Sequence, residues 1–114
     1  MVVDVRQEQQ IAEAVAKGGA EFGGIDILIN NASAISITGV LETPIKRYDL
    51  IMDVNVRGTF VCSQRCLPHL KRAKNPHILT LSRPIDLNPS WFAKHAAYTI
   101  LRGQSVHRQR VRSK

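Results

Sequence analysis

The sequence contains no long apolar run; no stretch approaches the roughly 18 residues that a membrane-spanning helix needs. Met1-Val2-Val3-Asp4 offers neither a basic n-region nor an apolar h-region, so no secretory leader is expected there. Cysteine is scarce: only Cys62 and Cys66 occur. Their i, i+4 spacing puts both on one side of a helix. A metal pair would need further ligands, and none lies nearby in the sequence. Two small buried thiols and no metal are therefore expected. Nothing suggests an oxidising compartment. Acidic residues are missing from the end of the chain: 103–114 holds Arg108, Arg110, Arg112 and Lys114 and no Asp or Glu.

The 114 residues suit one small domain, and a 44% hydrophobic, 22% charged composition is that of a globular protein. Four of the seven net positive charges sit in the tail. A basic tail can attract nucleic acid or anionic lipid. This one has no aromatic residue for base stacking and no RNA-binding or zinc-finger signature, so specific nucleic-acid binding is not expected. The expected division is a folded part, 1–102, and a basic, disordered tail, 103–114.

Periodicity gives an alternating order. Residues 1–5 read as the end of a buried strand. Residues 7–22 read as an amphipathic helix with a stripe through Ile11, Ala14, Val15 and Phe22. Gly18 and Gly19 predict that this helix is weakened or ends early, with Phe22 as a later anchor. After Gly23-Gly24, residues 25–29 are nearly all apolar, as in a parallel strand covered on both faces. Asn30-Asn31-Ala32-Ser33 suits a turn, and 34–44 is irregular. A long helical stretch spans 45–73, with Tyr48, Ile51, Met52, Asn55, Thr59, Cys62, Cys66 and Leu70 at helical spacing. Bends are expected at Gly58 and Pro68. Residues 77–81 form the next strand, ending at Ser82. A proline-containing loop leads to a helix from about Trp91, capped by Ser90 and carrying Tyr98.

Strands alternating with helices predict an α/β fold with a parallel sheet and crossover helices. Ligands bind such sheets at the C-terminal ends of the strands. Asp4, Asn30 and Ser82 fall at such ends.

Val3-Asp4-Val5, Asn30-Asn31-Ala32, Asn55-Val56-Arg57-Gly58, Ser82 and Tyr98 stand in the order found in the short-chain dehydrogenase/reductase family, which residues 1–100 resemble. The resemblance implies a partial Rossmann-type, doubly wound parallel sheet. This chain would supply strands 3 to 5 of the family order 3-2-1-4-5-6-7, with the N-terminal βαβ unit and the C-terminal part missing. Only strands 4 and 5 would be neighbours, leaving an apolar strand edge unpaired.

The resemblance also implies roles. Tyr98 is the proton donor or acceptor. Ser82 holds the substrate carbonyl or hydroxyl. Asn55 is the helix asparagine that orders a water chain. Arg102 stands where the family has a lysine, one helical turn after Tyr98. A nearby positive charge favours a phenolate, but a planar guanidinium is not a compact ammonium. Asp4 is the adenine-contacting aspartate. Asn30, Asn31 and Ala32, with Tyr98, line the cofactor cleft, and Ser33 replaces a usual glycine. The cofactor would be NADP or NAD and the substrate a small carbonyl or alcohol, in the lipid-related class by resemblance.

The family's glycine-rich phosphate turn is absent from these residues; Gly18-Gly19 and Gly23-Gly24 follow no strand. Beyond Ile100 the resemblance stops, which points to an altered reading frame, a splice product or an inaccurate gene model. The alternative expectation is therefore a catalytically inactive product or interaction module that associates with a full-length relative. Arg112-Ser113-Lys114 is not a peroxisomal address. Location stays open, with peroxisomal or mitochondrial sites suggested only by resemblance.

Overall fold

A computed structural model describes residues 1–81 together with the strand pairing of 109–110. Helix α1 spans Glu8–Phe22, strand β1 Ile27–Asn30, helix α2 Ile45–Met52 and helix α3 Gly58–Leu70. A π-helical segment, Asp53–Arg57, links α2 to α3. Strand β2 is His77–Thr80, and Gln109–Arg110 forms a two-residue strand β3.

β1 and β2 run parallel, with Ile27 opposite His77 and Asn30 opposite Thr80. β3 lies antiparallel on the far side of β2, so β1 is the sheet's edge. The neighbouring pair of parallel strands expected from the sequence is therefore present. The covering is not as expected. Along β1 the side chains alternate: Ile27 and Ile29 are more than half exposed, Leu28 is half-buried and Asn30 is buried. Alternation follows from the pleat. α3 packs on the sheet and α1 packs along α3. Among the described residues, nothing covers the face carrying Ile27 and Ile29. Among the described residues, this strand rich in β-branched side chains has one covered face.

Residues 1–5 form no strand. Met1 and Val2 are exposed, and the chain turns at Asp4, whose carbonyl accepts the Gln7 N–H at 2.9 Å. A lone apolar run has no partner for its backbone groups and so does not become a strand.

Helix α1 runs uninterrupted through Gly18 and Gly19 and ends at Gly23, whose φ of 79° is the left-handed cap that glycine tolerates. Gly19 is buried because the His69 ring of α3 lies on it: a Cβ there would stand 2.6 Å from His69 Cε1. The glycine that costs helix propensity thus allows two helices to approach. Phe22 is 81% exposed and anchors nothing among the described residues.

The long helical stretch exists from Ile45 to Leu70, but it changes pitch in the middle. The Gly58 N–H donates to Asp53 O, five residues back. The expected bend at Gly58 is thus the end of a π-helical turn. Pro68 is accommodated inside the last turn of α3. The core consists of Ile11 from α1, Ile51 from α2, and Val61, Cys66 and Leu70 from α3; Ile51 and Leu70 are fully buried. Among the described residues no helix is long and apolar enough to cross a membrane.

Candidate active site

Parallel pairing brings the C-terminal ends of β1 and β2 together. There the Asn30 carbonyl accepts the Leu81 N–H at 3.1 Å. The Asn30 side chain points inward. Its Nδ2 donates to Thr80 Oγ1 at 3.2 Å and to Ser63 Oγ at 3.3 Å. One buried amide thus joins β1, β2 and α3 at the strand ends. Burial requires such partners, since an unpaired buried amide is costly. Asn31 and Ala32 follow and are exposed at the sheet's edge. The sequence suggested turn chemistry at 30–33; Asn30 is instead the last residue of the strand and its bolt.

Asn55 lies in the π-helical segment, half-buried. Its Nδ2 donates to Ala34 O at 2.9 Å and to Ile51 O at 2.8 Å. The first bond ties the helix to the segment that leaves β1. The Asn55 carbonyl accepts from Thr59 Oγ1 at 3.0 Å. A π turn widens the helix and leaves carbonyls outside the regular ladder, which is why such turns recur at functional sites. The structure therefore brings Asn55 together with the segment that follows Asn30-Asn31-Ala32.

Asp4 is held elsewhere on the same scaffold. Its carboxylate accepts from Arg6 N at 2.9 Å, from Arg6 Nε at 3.0 Å and from Arg6 Nη2 at 2.7 Å. These bonds from Arg6 hold the Asp4 carboxyl well below the usual range, at about 2, and raise Arg6 in turn. The turn is fastened to the π segment twice. Arg57 Nη1 donates to Arg6 O at 2.8 Å. Gly58 leaves room for Val5: a Cβ there would lie 3.0 Å from Val5 Cγ2 and 3.3 Å from its carbonyl oxygen. An ion pair between Arg65 of α3 and Glu8 of α1 secures the next turn.

Ser82, Tyr98 and Arg102 lie outside the described residues. Cys62 and Cys66 share a face of α3 as free thiols; burial raises both, Cys66 to about 11. That shift disfavours the thiolate which metal binding or nucleophilic chemistry requires. Among the described residues, no three or more His, Cys, Asp or Glu gather as a metal site. Sequence reasoning missed Ser63, Thr80 and Arg57. Only Arg57 carried a signal, its place in Asn55-Val56-Arg57-Gly58; Ser63 and Thr80 matter through contacts distant in the chain.

Comparison with known proteins agrees with this arrangement. Residues 1–98 match the family model described as short chain dehydrogenase. The chain is 59% identical over 99 residues to Hydroxysteroid dehydrogenase-like protein 2 of Danio rerio, covering 87% of this chain and 24% of that protein. It is 58% identical over 107 residues to the Homo sapiens protein of that name, covering 93% and 26%. This chain thus spans about a quarter of the length of those curated relatives. Among solved structures, a short chain dehydrogenase from Mycobacterium thermoresistibile superposes with a TM-score of 0.79 at 49% identity, covering 90% of this chain and 36% of that one. The aldohexose dehydrogenase of Thermoplasma acidophilum, at 24% identity, shares the fold with a TM-score of 0.79, covering 91% and 40%. With a parallel strand pair ending in Asn30-Asn31-Ala32, a braced helix asparagine and a family match over residues 1–98, this chain belongs to the short-chain dehydrogenase family.

Proposed function

We propose that this chain carries part of an NAD(P)-dependent oxidoreductase site for hydride transfer between a nicotinamide and a small carbonyl or alcohol, in the lipid-related class. The strands correspond in this reading to 4 and 5 of the family order, with residues 1–5 at the position of strand 3. The observation that carries it is the bracing of Ala34 O by Asn55, which fixes the backbone just after the exposed Asn31 and Ala32 at the strand ends. The cofactor, when bound, supplies or accepts the hydride.

The residues present fit the adenosine half of a dinucleotide in part. Asn31 and Ala32 are small and open to a ligand. Asp4 has an ionised carboxylate, part of whose acceptor capacity Arg6 already uses. Tyr98 moves the proton, Ser82 orients the substrate oxygen, and Arg102 takes the place of the family lysine in the sequence. Asn55 spends both amide protons on carbonyls, so any water it orders is held through its backbone or side-chain oxygen.

A second reading is supported by the exposed face of β1. Ile27 and Ile29 project from an edge strand with no cover among the described residues. In that reading the chain is inactive alone and associates with a full-length relative. Thermal unfolding by circular dichroism, with and without excess NADPH or NADH, separates the two. A cooperative transition raised by cofactor supports a nucleotide site, because a ligand that binds only the native state stabilises it. A transition indifferent to both nucleotides rejects the oxidoreductase site in this chain.

A further inference from the structure

Arg57 is exposed, yet among the described residues it makes no ion pair. Asp53 stands four positions before it, a spacing at which an acid and an arginine commonly pair along a helix. Arg57 does not take that partner. Its Nη1 donates instead to the Arg6 carbonyl at 2.8 Å, across 51 positions of the chain.

The carbonyl it takes belongs to a residue whose other donors serve Asp4. Arg6 N donates to Asp4 Oδ1 at 2.9 Å, Nε to Oδ1 at 3.0 Å and Nη2 to Oδ2 at 2.7 Å. Arg57 therefore acts on the Asp4 carboxylate through Arg6. Gly58 limits the freedom of the same turn from the other side, since a Cβ there would meet Val5 Cγ2 at 3.0 Å. Two positions before Arg57, Asn55 donates to Ala34 O at 2.9 Å. Residues two apart on a helix do not face each other. The single segment Asp53–Arg57 thus holds two separate stretches of chain, the turn at Asp4 and the backbone that follows Asn31 and Ala32.

We propose that Arg57 is a positioning residue, which through Arg6 holds the Asp4 carboxylate in register with the Asn31-Ala32 edge, so that one dinucleotide meets both. The role at a cofactor rests on the oxidoreductase reading; the bracket between Arg57 and the Asp4 turn does not.

Two measurements on the 114-residue chain test it. The first needs no ligand. Amide hydrogen exchange reads the Arg6 N–H, bonded to Asp4 Oδ1, and the Gln7 N–H, bonded to Asp4 O at 2.9 Å. Arg57→Ala is expected to remove protection at these two amides and to leave that of α3 intact. Unchanged exchange overturns the proposal, whether or not nucleotide binds. The second is a cycle of Arg57→Ala and Asp4→Ala, with NADH and NADPH affinities taken from the cofactor-dependent melt. Arg57→Ala is expected to weaken nucleotide binding about tenfold in the parent and to have no further effect on Asp4→Ala. Additive losses would mean that the Arg57 charge attracts the nucleotide directly, and would overturn the positioning role. Wild-type affinity in Arg57→Ala would overturn it equally while leaving the oxidoreductase reading in place. A parent that neither nucleotide shifts, with protection lost in Arg57→Ala, rejects the oxidoreductase reading and upholds the bracket. Arg57→Gln serves in both measurements where Arg57→Ala lacks a cooperative transition; failure of both variants to fold would assign Arg57 to stability alone and overturn the proposal.

Discussion

The Cε1 edge of the His69 imidazole abuts Gly19, with ring atoms 2.6–3.4 Å from where a Cβ would stand. Gly18, one residue earlier, has nothing within 4 Å of that position. Adjacent glycines in one helix therefore have opposite reasons to exist. Gly18→Ala is expected to stabilise the fold by about 1 kcal/mol, the helix-propensity difference. Gly19→Ala gains the same propensity but must displace a ring that Arg72 Nη2 contacts at 3.2 Å. It is expected to destabilise by about 1–3 kcal/mol, the usual range for overpacking. Chemical denaturation of both variants checks this. In Gly19→Ala/His69→Ala the penalty should largely vanish, giving a coupling that independent sites would not show.

Asp4 should titrate at about 2, because Arg6 donates to it through both backbone and side chain. The sign follows from the lowered value. The interaction is fully present above the ordinary carboxylate range near 4 and is lost as pH falls through about 2. The group is exposed, so salt should weaken the effect. Carbon-detected NMR titration of the Asp4 carboxyl reads it directly. Arg6→Ala is expected to return the midpoint towards the ordinary value; an unchanged low midpoint would mean that another group holds the charge.

Asn30 and Asn31 are neighbours with separable roles. Asn30→Ala leaves Ser63 Oγ and Thr80 Oγ1 without their shared donor and should cost about 1–3 kcal/mol. Asn31→Ala, at an exposed position, should change stability by no more than about 0.5 kcal/mol. If the proposed function is right, Asn31→Ala should instead reduce the thermal shift produced by NADPH or NADH. Denaturant unfolding and the cofactor-dependent melt, run on the same samples, separate the two effects.

The sequence made the helices and the parallel strand pair legible because periodicity is local. Ile11 in one helical stripe, and Ile51, Cys66 and Leu70 in another, were readable and are buried. What was not legible depended on residues far apart in the chain. Gly19 read as a flaw because His69 stands 50 positions away. Asn30 read as a turn residue because its partners, Ser63 and Thr80, are 33 and 50 positions away. The apolar run at 25–29 suggested cover on both faces, since periodicity cannot reveal that, among the described residues, α3 packs on one face and Ile27 and Ile29 stay exposed on the other. For the site, motif order identified Asn55 and Asn30-Asn31-Ala32. It gave no sign of the π turn that carries Asn55, because pitch is set by backbone bonding such as Gly58 N–H to Asp53 O.

Asn55 offers the sharpest test of that π turn. Its Nδ2 gives both protons to carbonyls, Ala34 O and Ile51 O. Asn55→Asp keeps the shape and replaces the donor by an acceptor facing two acceptors. An ionised carboxylate there should cost at least about 2 kcal/mol at neutral pH. The protonated acid can still donate one hydrogen bond, so folding should raise the new carboxyl's pKa above its unfolded value. Stability of the variant should then approach that of the parent below the ordinary carboxylate range and be lost as pH rises through the folded value. This is the reverse of the behaviour expected at Asp4. Denaturation midpoints for parent and Asn55→Asp, measured between about pH 3 and pH 8, should therefore diverge as pH rises. A gap independent of pH would show that Asn55 does not depend on donating to those carbonyls. The bracing of Ala34, and with it the main support for the proposed cofactor edge, would then fall.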